Sequence, residues 1–553
     1  MVNDLDVTEL VAGIQDARAR QVIALLLNLV EDLKQENREL RAENQRLRDE
    51  NQRLKGEQGQ PVVQPNAAGR AAADHSSEQE RRQPKDWHKG SKQDRIVPDR
   101  EQTLRVDPAL LPADAEFKGY EDQVAQDIVL RTENVLFHRE QYYSPSEHKS
   151  YLAPLPAGYS SQFGPGLRAL TIVLYFGGLM SEANILKLYR SVGVQLSDGW
   201  LSDLLVHRQQ GFHAEATAVL RAGLGSSPWQ HLDDTPTRVN GQSHYAQVLC
   251  NPLYTAYRTT PSKDRLSVVM TLAGWEAPRF RITAAALGYL EQVGVAQRVQ
   301  AAVAALPRDQ EWDSAAFDRL LDEYLPRLGP QQRRWVEEAA ALAAYRAQPD
   351  WPVVDLLVCD DAPQWKGVTA DLALCWVHEG RHYKKLIPYF SEHQRLLDDF
   401  LGQFWGYYRE LLAYRQAPNA TERERLEQRF AAVFATVTGY DALDDRIART
   451  AAKKASLLRV LDHPELPLHN NPAELGARQR VRKRDVSFGP RTAEGVQAWD
   501  TFQTLGETAR KLGVSFYHYV HDTLTGAQQL PRLADLIAAR AQDLRMGASW
   551  ATA

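Results

Sequence analysis

Three acidic positions stand in contexts suited to metal chemistry. Asp233 lies beside Asp234 in the alternating run WQHLDDTPTRV, Asp360 ends the apolar run WPVVDLLVCDD beside Asp361, and Glu474 follows Asn470-Asn471-Pro472 where a helical stretch begins. Two strands and a helix start can bring carboxylates far apart in sequence to one point. Clustered carboxylates repel unless cations neutralise them. Hard oxygen ligands of this kind suit Mg2+. Two such ions about 3.5–4 Å apart can activate a nucleophile and stabilise the leaving oxygen at a phosphodiester. Bland readings stand beside this one. Asp is common at strand ends. With Asn471 as N-cap and Pro472 at N1, Glu474 sits at N3, where glutamate steadies any helix, and Arg478 could simply pair with it.

Arg478, Arg480, Arg482, Lys483 and Arg484 follow Glu474 within ten residues. A solvated helix face usually alternates signs, whereas this run is one-signed, and a phosphate backbone would explain it. Cys375 and His378 form C-x-x-H in LALCWVHEGRHY. Two ligands do not make a structural zinc site, so the spacing reads as core packing of Cys375 and Trp376, with His378, Arg381 and His382 available to face DNA. Cys250 and Cys359 lie in apolar strands and read as core.

The elements that must position these groups are legible in part. Leu26, Leu33, Leu40, Leu47 and Leu54 recur every seven residues, with Val30, Asn37, Asn44 and Asn51 at the intervening a positions. Glu36, Glu43 and Glu50 fall at g, and Arg41, Arg48 and Lys55 at the following e. Residues 22–55 therefore read as a leucine zipper, with the a-position asparagines fixing register and favouring two parallel strands. Residues 56–104 form a basic Gly-, Gln- and Pro-rich linker, after an N-terminal segment 1–21. Residues 105–157 read as short strands of a small β module. Residues 158–225 are helical, with N-caps at Ser181 and Ser197 in an arrangement compatible with a helix-turn-helix or with two ordinary core helices. From residue 226 the period changes to that of strands, and Asn240-Gly241 between alternating runs signals a hairpin. Residues 226–284 and 351–510 read as one α/β domain, split by a helical insert at 285–350 and followed by a helical region at 511–553.

Composition bounds the rest. The 553 residues carry 66 basic and 71 acidic side chains, a formal net charge of -5. The sum excludes a generally basic chain but hides +4 in residues 81–100, +4 in residues 471–484 and -3 in residues 301–350. Three cysteines exclude a disulfide scaffold and suit a reducing compartment. The acidic start MVNDLDVTEL lacks the basic region of a signal peptide, and the longest apolar run, Ala169–Met180, is too short for a bilayer.

The strings WQHLDDTPTRVNG, CDDAPQW, LALCWVHEGRHYKKL and NNPAELGARQRVRKRDVSFGPRTAEG resemble the IS-66-type family of bacterial insertion-sequence transposases. The order of zipper, N-terminal module, helical module and interrupted catalytic domain resembles that family too. The resemblance covers nearly all of the chain beyond the first twenty residues, and its NNPAE…R…SFG pattern is the most specific part. It implies a multidomain, mainly α chain with an RNase-H-like α/β catalytic domain and an Asp-Asp-Glu metal triad. Asp233 matches the first acid of the family's D-E-T, with Asp234 replacing its Glu. Asp360 matches the acid of S-D-G, with Asp361 replacing the Gly and remaining an alternative ligand. Glu474 matches the acid of N-N-x-x-E-R, with Leu475 replacing the Arg.

By resemblance these three residues would be catalytic and hold two Mg2+ ions, with Mn2+ as a substitute. The expected activity is cleavage of DNA at element ends and strand transfer to target DNA. Arg478, Arg480, Arg482, Lys483, Arg484, His378 and Arg381 are the candidate DNA contacts. Expected partners are the terminal inverted repeats, target DNA, a second copy through the zipper, and small accessory proteins of the element, in a cytoplasmic, nucleoid-associated setting without membrane. The family often has paired cysteines in its N-terminal module. Residues 105–157 have none, so no structural zinc is expected there, and Phe117, Tyr120, Phe137, Tyr142 and Tyr143 would hold that module instead. Two rival readings remain: a dimeric DNA-binding protein derived from a transposase, and an RNase-H-like nuclease that cuts without joining.

Overall fold

A computed structural model describes residues 14–54, 97–112, 115–128, 130–159 and 162–544. The expectations for residues 1–13, for Lys55 and most of the basic linker, for the side chains of Glu50, Asn51 and Leu54 and for residues 545–553 lie outside the described residues.

The heptad stretch forms one helix, Ala17–Leu54. It has no Gly or Pro and is rich in Leu, Arg, Glu and Gln, which favour helix. Leu26, Leu33, Leu40 and Leu47 are all more than half exposed. The helix meets the rest of the chain through its other side. Asn28 donates to the Gly439 carbonyl at 3.0 Å and accepts from the Asp441 N–H. Glu31 accepts from the Tyr389 N–H and faces His393 Nδ1 at 3.3 Å.

Residues 105–157 depart from expectation. Among the described residues of this stretch the strands form one hairpin, β1 (Gln141–Ser144) with β2 (Lys149–Leu152). Phe117, Tyr120, Tyr142 and Tyr143 are exposed, and Phe137 packs on Tyr159 instead. Among the described residues, one hairpin has no second layer against which to bury its aromatics. The following helices agree with the sequence. Ser181 and Ser197 cap helices Glu182–Ser191 and Asp198–Val206 by accepting from the Asn184 and Trp200 N–H groups.

The central sheet has five strands. β3 (Trp229–Val239) pairs antiparallel with β4 (Gln242–Cys250), and β4 with β5 (Thr255–Thr260). The turn Asn240-Gly241 takes positive φ at both residues, 48° and 78°, as the tight hairpin turn demands. A helical insert carrying the short pair β6 (Arg279–Arg281) and β7 (Glu311–Asp313) follows. The chain then returns as β8 (Leu356–Cys359), parallel to β3, and β9 (Asp371–Leu374), parallel to β8. The order is β5-β4-β3-β8-β9. β8 pairs with β3 only over Trp229–His231. Beyond that point no strand among the described residues pairs with β3 on this side, which is where Pro236 is tolerated.

The β5 edge is covered by helix Ala493–Lys511. Thr508, Thr504 and Asp500, spaced four residues apart, accept from the N–H groups of Thr255, Tyr257 and Thr259 at 3.2, 3.0 and 2.7 Å. A second helical insert, from Ser391 to Asp462, packs Phe404, Tyr407, Phe430 and Phe434 around Trp376. The architecture is thus mainly helical around one mixed sheet. Among the described residues no helix is long and apolar enough to cross a membrane.

Candidate active site

β3 carries Asp233 through the middle of the sheet. Its carboxyl is pushed up to about 7, first by burial and then by the neighbouring carboxylates of Asp360 and Glu474. The Asp234 N–H, donating to Asp233 Oδ1 at 2.9 Å, opposes the rise. Asp360 leaves the buried end of β8 beside β3. The Trp365 indole donates to its Oδ1 at 2.6 Å and the Ala362 N–H at 3.2 Å. Three acids from two strands and a helix therefore act on one another electrostatically.

The neighbouring acids have other partners. Asp234 accepts from Gln364 at 2.8 Å and lies 3.9 Å from Lys263. Asp361 lies 2.6 Å from Lys453 and 3.3 Å from Lys366. Burial raises the Asp361 carboxyl, but these two cations outweigh burial and hold it below the usual range. Asp361 is thus neutralised by side chains, while Asp360 faces Asp233.

Glu474 sits in the first turn of helix Asn471–Ser487. Its Oε2 accepts from Arg381 at 3.2 Å, and its Oε1 lies 3.6 Å from His378 Nδ1. Arg381, not Arg478, is its cation. Both Glu474 Oε1 and His378 Nδ1 are buried without a hydrogen bond. Cys375, His378 and Glu474 form the one group of possible metal-binding side chains found by proximity among the described residues, with ligand atoms within 4.8 Å of one another. Burial holds the Cys375 thiol up at about 12 and lowers the His378 imidazole.

The helix start is fixed by a residue that sequence reasoning passed over. Asn470, not Asn471, occupies the N-cap position. Its fully buried side chain meets His231 Nδ1 at 2.9 Å and donates to the Leu232 carbonyl at 2.9 Å, while its N–H points at Cys375 Sγ. One amide therefore ties β3, helix Trp376–Lys384 and the Glu474 helix together. Its partner His231 is wholly buried, and desolvation pulls its imidazole down to about 3. The doublet Asn-Asn-Pro was the available signal. Gly476 completes the fit: a Cβ there would come within 2.6 Å of Val248 on β4.

The basic run after Glu474 divides. Arg478 and Arg482 are exposed, and Arg484 is half-buried with Nη1 donating to the Pro236 carbonyl at 2.7 Å. Arg480 and Lys483 are a correction to the expected DNA contacts, because both point inward. Arg480 pairs with Asp500 and lies over the Tyr257 ring. Lys483 donates to the Met180 carbonyl and stacks 3.1 Å from the Tyr175 ring centroid. A helix packed on a sheet must turn one side inward, and a one-signed run does not tell which members lie on that side.

The comparisons with known proteins agree with this layout. Residues 160–281 and 343–498 match the Transposase IS66 family. The gap between the two segments falls on the first helical insert. The "Uncharacterized protein y4jO" of Sinorhizobium fredii (strain NBRC 101917 / NGR234) is 33% identical over 329 residues, covering 58% of this chain and 100% of that protein. No solved structure matches the chain. Over both matched segments, which hold all three acids, this chain belongs to the IS66 family of transposases.

Proposed function

We propose that the chain is a DNA transposase of the Asp-Asp-Glu type, with Asp233, Asp360 and Glu474 as catalytic residues on an RNase-H-like domain. The observation that carries this is the convergence of Asp233, Asp360 and Glu474, where burial first and then the charges of Asp360 and Glu474 push Asp233 up to about 7. The strand order β5-β4-β3-β8-β9, with three antiparallel strands and two parallel ones, supports the fold reading. The donor set fits divalent cations: three hard oxygen ligands, mutual repulsion awaiting neutralisation, and a buried Glu474 oxygen without a hydrogen bond. Two Mg2+ ions, or Mn2+ in their place, would supply charge neutralisation and polarise oxygens at a phosphodiester.

The chain's own groups do the positioning. Trp365 and the Ala362 N–H orient Asp360, the Asp234 N–H orients Asp233, and Arg381 holds Glu474 Oε2. Arg478 and Arg482, one turn apart on the exposed side of the Glu474 helix, are placed to meet phosphates, as are His378 and Arg381 at the acids. The zipper helix pairs two copies and so two element ends.

The test is joining of a labelled element end to target DNA in the presence of Mg2+. Asp233→Ala, Asp360→Ala and Glu474→Ala are each expected to lose more than about a thousandfold of activity, the order of effect of removing a group that acts on transition-state charge. Asp361→Asn is expected to stay within about tenfold of wild type, since Lys453 and Lys366 already occupy its carboxylate. Activity retained in Asp233→Ala would sink the assignment. Cutting without joining would favour a nuclease, and end binding without either would favour a DNA-binding protein.

A further inference from the structure

Phe488 is the least economical residue near the site. It follows helix Asn471–Ser487 in the left-handed region, φ 58°, and its side chain is 87% exposed. Glycine takes that conformation freely and phenylalanine does not. The fold gains no burial in return. The loop is nonetheless held rigidly. The Phe488 N–H donates to the Arg484 carbonyl at 2.7 Å, and the Asn240 N–H donates to the Pro490 carbonyl at 3.0 Å. A Cβ on Gly489 would come within 2.5 Å of the Arg238 carbonyl. A strained, exposed ring on a fixed support points to use outside the fold.

The ring borders a cleft at the tip of the β3–β4 hairpin, shared with Arg238, His244, Tyr245, Arg484 and Asp485. Lys263 lies over the Tyr245 ring at 5.6 Å. The guanidinium groups are oriented by backbone carbonyls: Arg238 by Gly241 at 2.8 Å and Arg484 by Pro236 at 2.7 Å. Asp485 is the one acid of the lining, and Arg484 lies 3.2 Å from it. Two aromatic rings among cations suit a nucleotide: ring faces stack on a base and cations meet its phosphate. A paired base already has both faces covered by its neighbours, so the cleft selects an unpaired one.

The position relative to the acids fits. β3 runs from Asp233 to the cleft at Thr237, about 13 Å at the usual strand rise. The helix from Glu474 to Phe488 covers about 20 Å. We propose that this cleft holds an unpaired nucleobase of the DNA strand a few nucleotides from the phosphate at the acids, stacked on Phe488. The proposal rests on the transposase reading and adds the feature of the DNA that the enzyme recognises.

The test uses the full chain and a duplex with a single-stranded tail of about four nucleotides carrying 2-aminopurine, against the same duplex fully paired. Wild type is expected to bind the tailed duplex about tenfold more tightly and to quench the probe on binding. Phe488→Gly should melt no lower than wild type, because glycine suits φ 58°, yet lose both the preference and the quench. Phe488→Trp should keep both. Equal affinity of wild type for the two duplexes, or quenching that survives in Phe488→Gly, overturns the proposal and leaves the catalytic reading intact. Tail preference in a chain that neither cuts nor joins DNA with Mg2+ would instead overturn the catalytic reading alone.

Discussion

At the scale of single residues, charge decides most of what is built here. Asp233, Asp360 and Glu474 are held together against their own repulsion, a cost to the metal-free fold. Asp233→Asn removes one member of that repulsion. In chelator it is expected to raise the melting temperature by about a degree, the size of a change of about 1 kcal/mol in a chain this long, and with Mg2+ to abolish joining of DNA; calorimetry on the two chains checks the first. Lys483 carries a second cost. Burial among Tyr175, Phe176 and Trp499 brings its ammonium down to about 7 from 10.5, and the Glu182 carboxylate opposes this only in part. Between these values the unfolded chain binds the proton and the folded chain does not, so stability rises with pH from about 7 towards 10.5. Lys483→Met should therefore raise the melting temperature most near neutral pH and below, with the gain shrinking as the pH approaches 10. A gain independent of pH would show that the lysine is not the group responsible. The three acids stood out in sequence by type, context and the family resemblance, and the fold brings them within electrostatic reach of one another. Asn470 did not stand out, because its partners His231 and Leu232 lie 239 and 238 residues away. The inward turn of Arg480 and Lys483 was equally hidden, since nothing in the run Arg-Gln-Arg-Val-Arg-Lys-Arg marks the packed side.

At the scale of elements, the exposed edge of a sheet has to be dealt with. Here a helix does it with side chains. Asp500, Thr504 and Thr508 supply acceptors to alternate N–H groups of β5. Thr504→Val keeps the shape and removes the acceptor for the buried Tyr257 N–H. The expected cost is about 1–3 kcal/mol, that of leaving a buried donor unsatisfied. Urea unfolding should show a lower midpoint with an unchanged slope, and an unchanged midpoint would mean that the N–H finds another acceptor. The hairpin β3–β4 and strand β5 were readable because alternation and Asn-Gly are local signals. The run Leu356–Cys359 was readable as a buried strand because it is continuously apolar. β9, equally short, was not, because it begins with Asp371 and is only half buried. The stretch 105–157 misled in the opposite direction. Its alternation is genuine, but a strand needs a neighbour, and only Gln141–Ser144 and Lys149–Leu152 found one.

At the scale of the whole molecule, the zipper helix presents two unlike sides. Asn28 and Glu31 fix one side to the second helical insert through Gly439, Asp441, Tyr389 and His393. The leucine seam on the other side stays open to solvent, flanked by g glutamates and e cations. Pairing through that seam would thus set two central sheets at a defined relation, because each helix is anchored to the second helical insert of its own chain. The two sides make separable predictions. Leu33→Ala with Leu40→Ala removes four seam leucines per dimer, at roughly 1.5–3 kcal/mol each. That loss exceeds what a micromolar dimer, held by about 8 kcal/mol, can bear. Light scattering is expected to report a monomer, with the melting temperature of the body little changed. Glu31→Ala should do the reverse. The dimer persists, but His393 and the Tyr389 N–H lose their acceptor, the helix loosens from the insert, and protease cuts within the helix become faster. Joining of one labelled end should survive in the first variant better than concerted joining of two ends. In the second variant, concerted joining should fall although the dimer remains. A double-leucine variant that stays dimeric would remove the zipper from this scheme. A Glu31→Ala chain with full two-end joining would show that anchoring on the insert does not set the relation between the two sites.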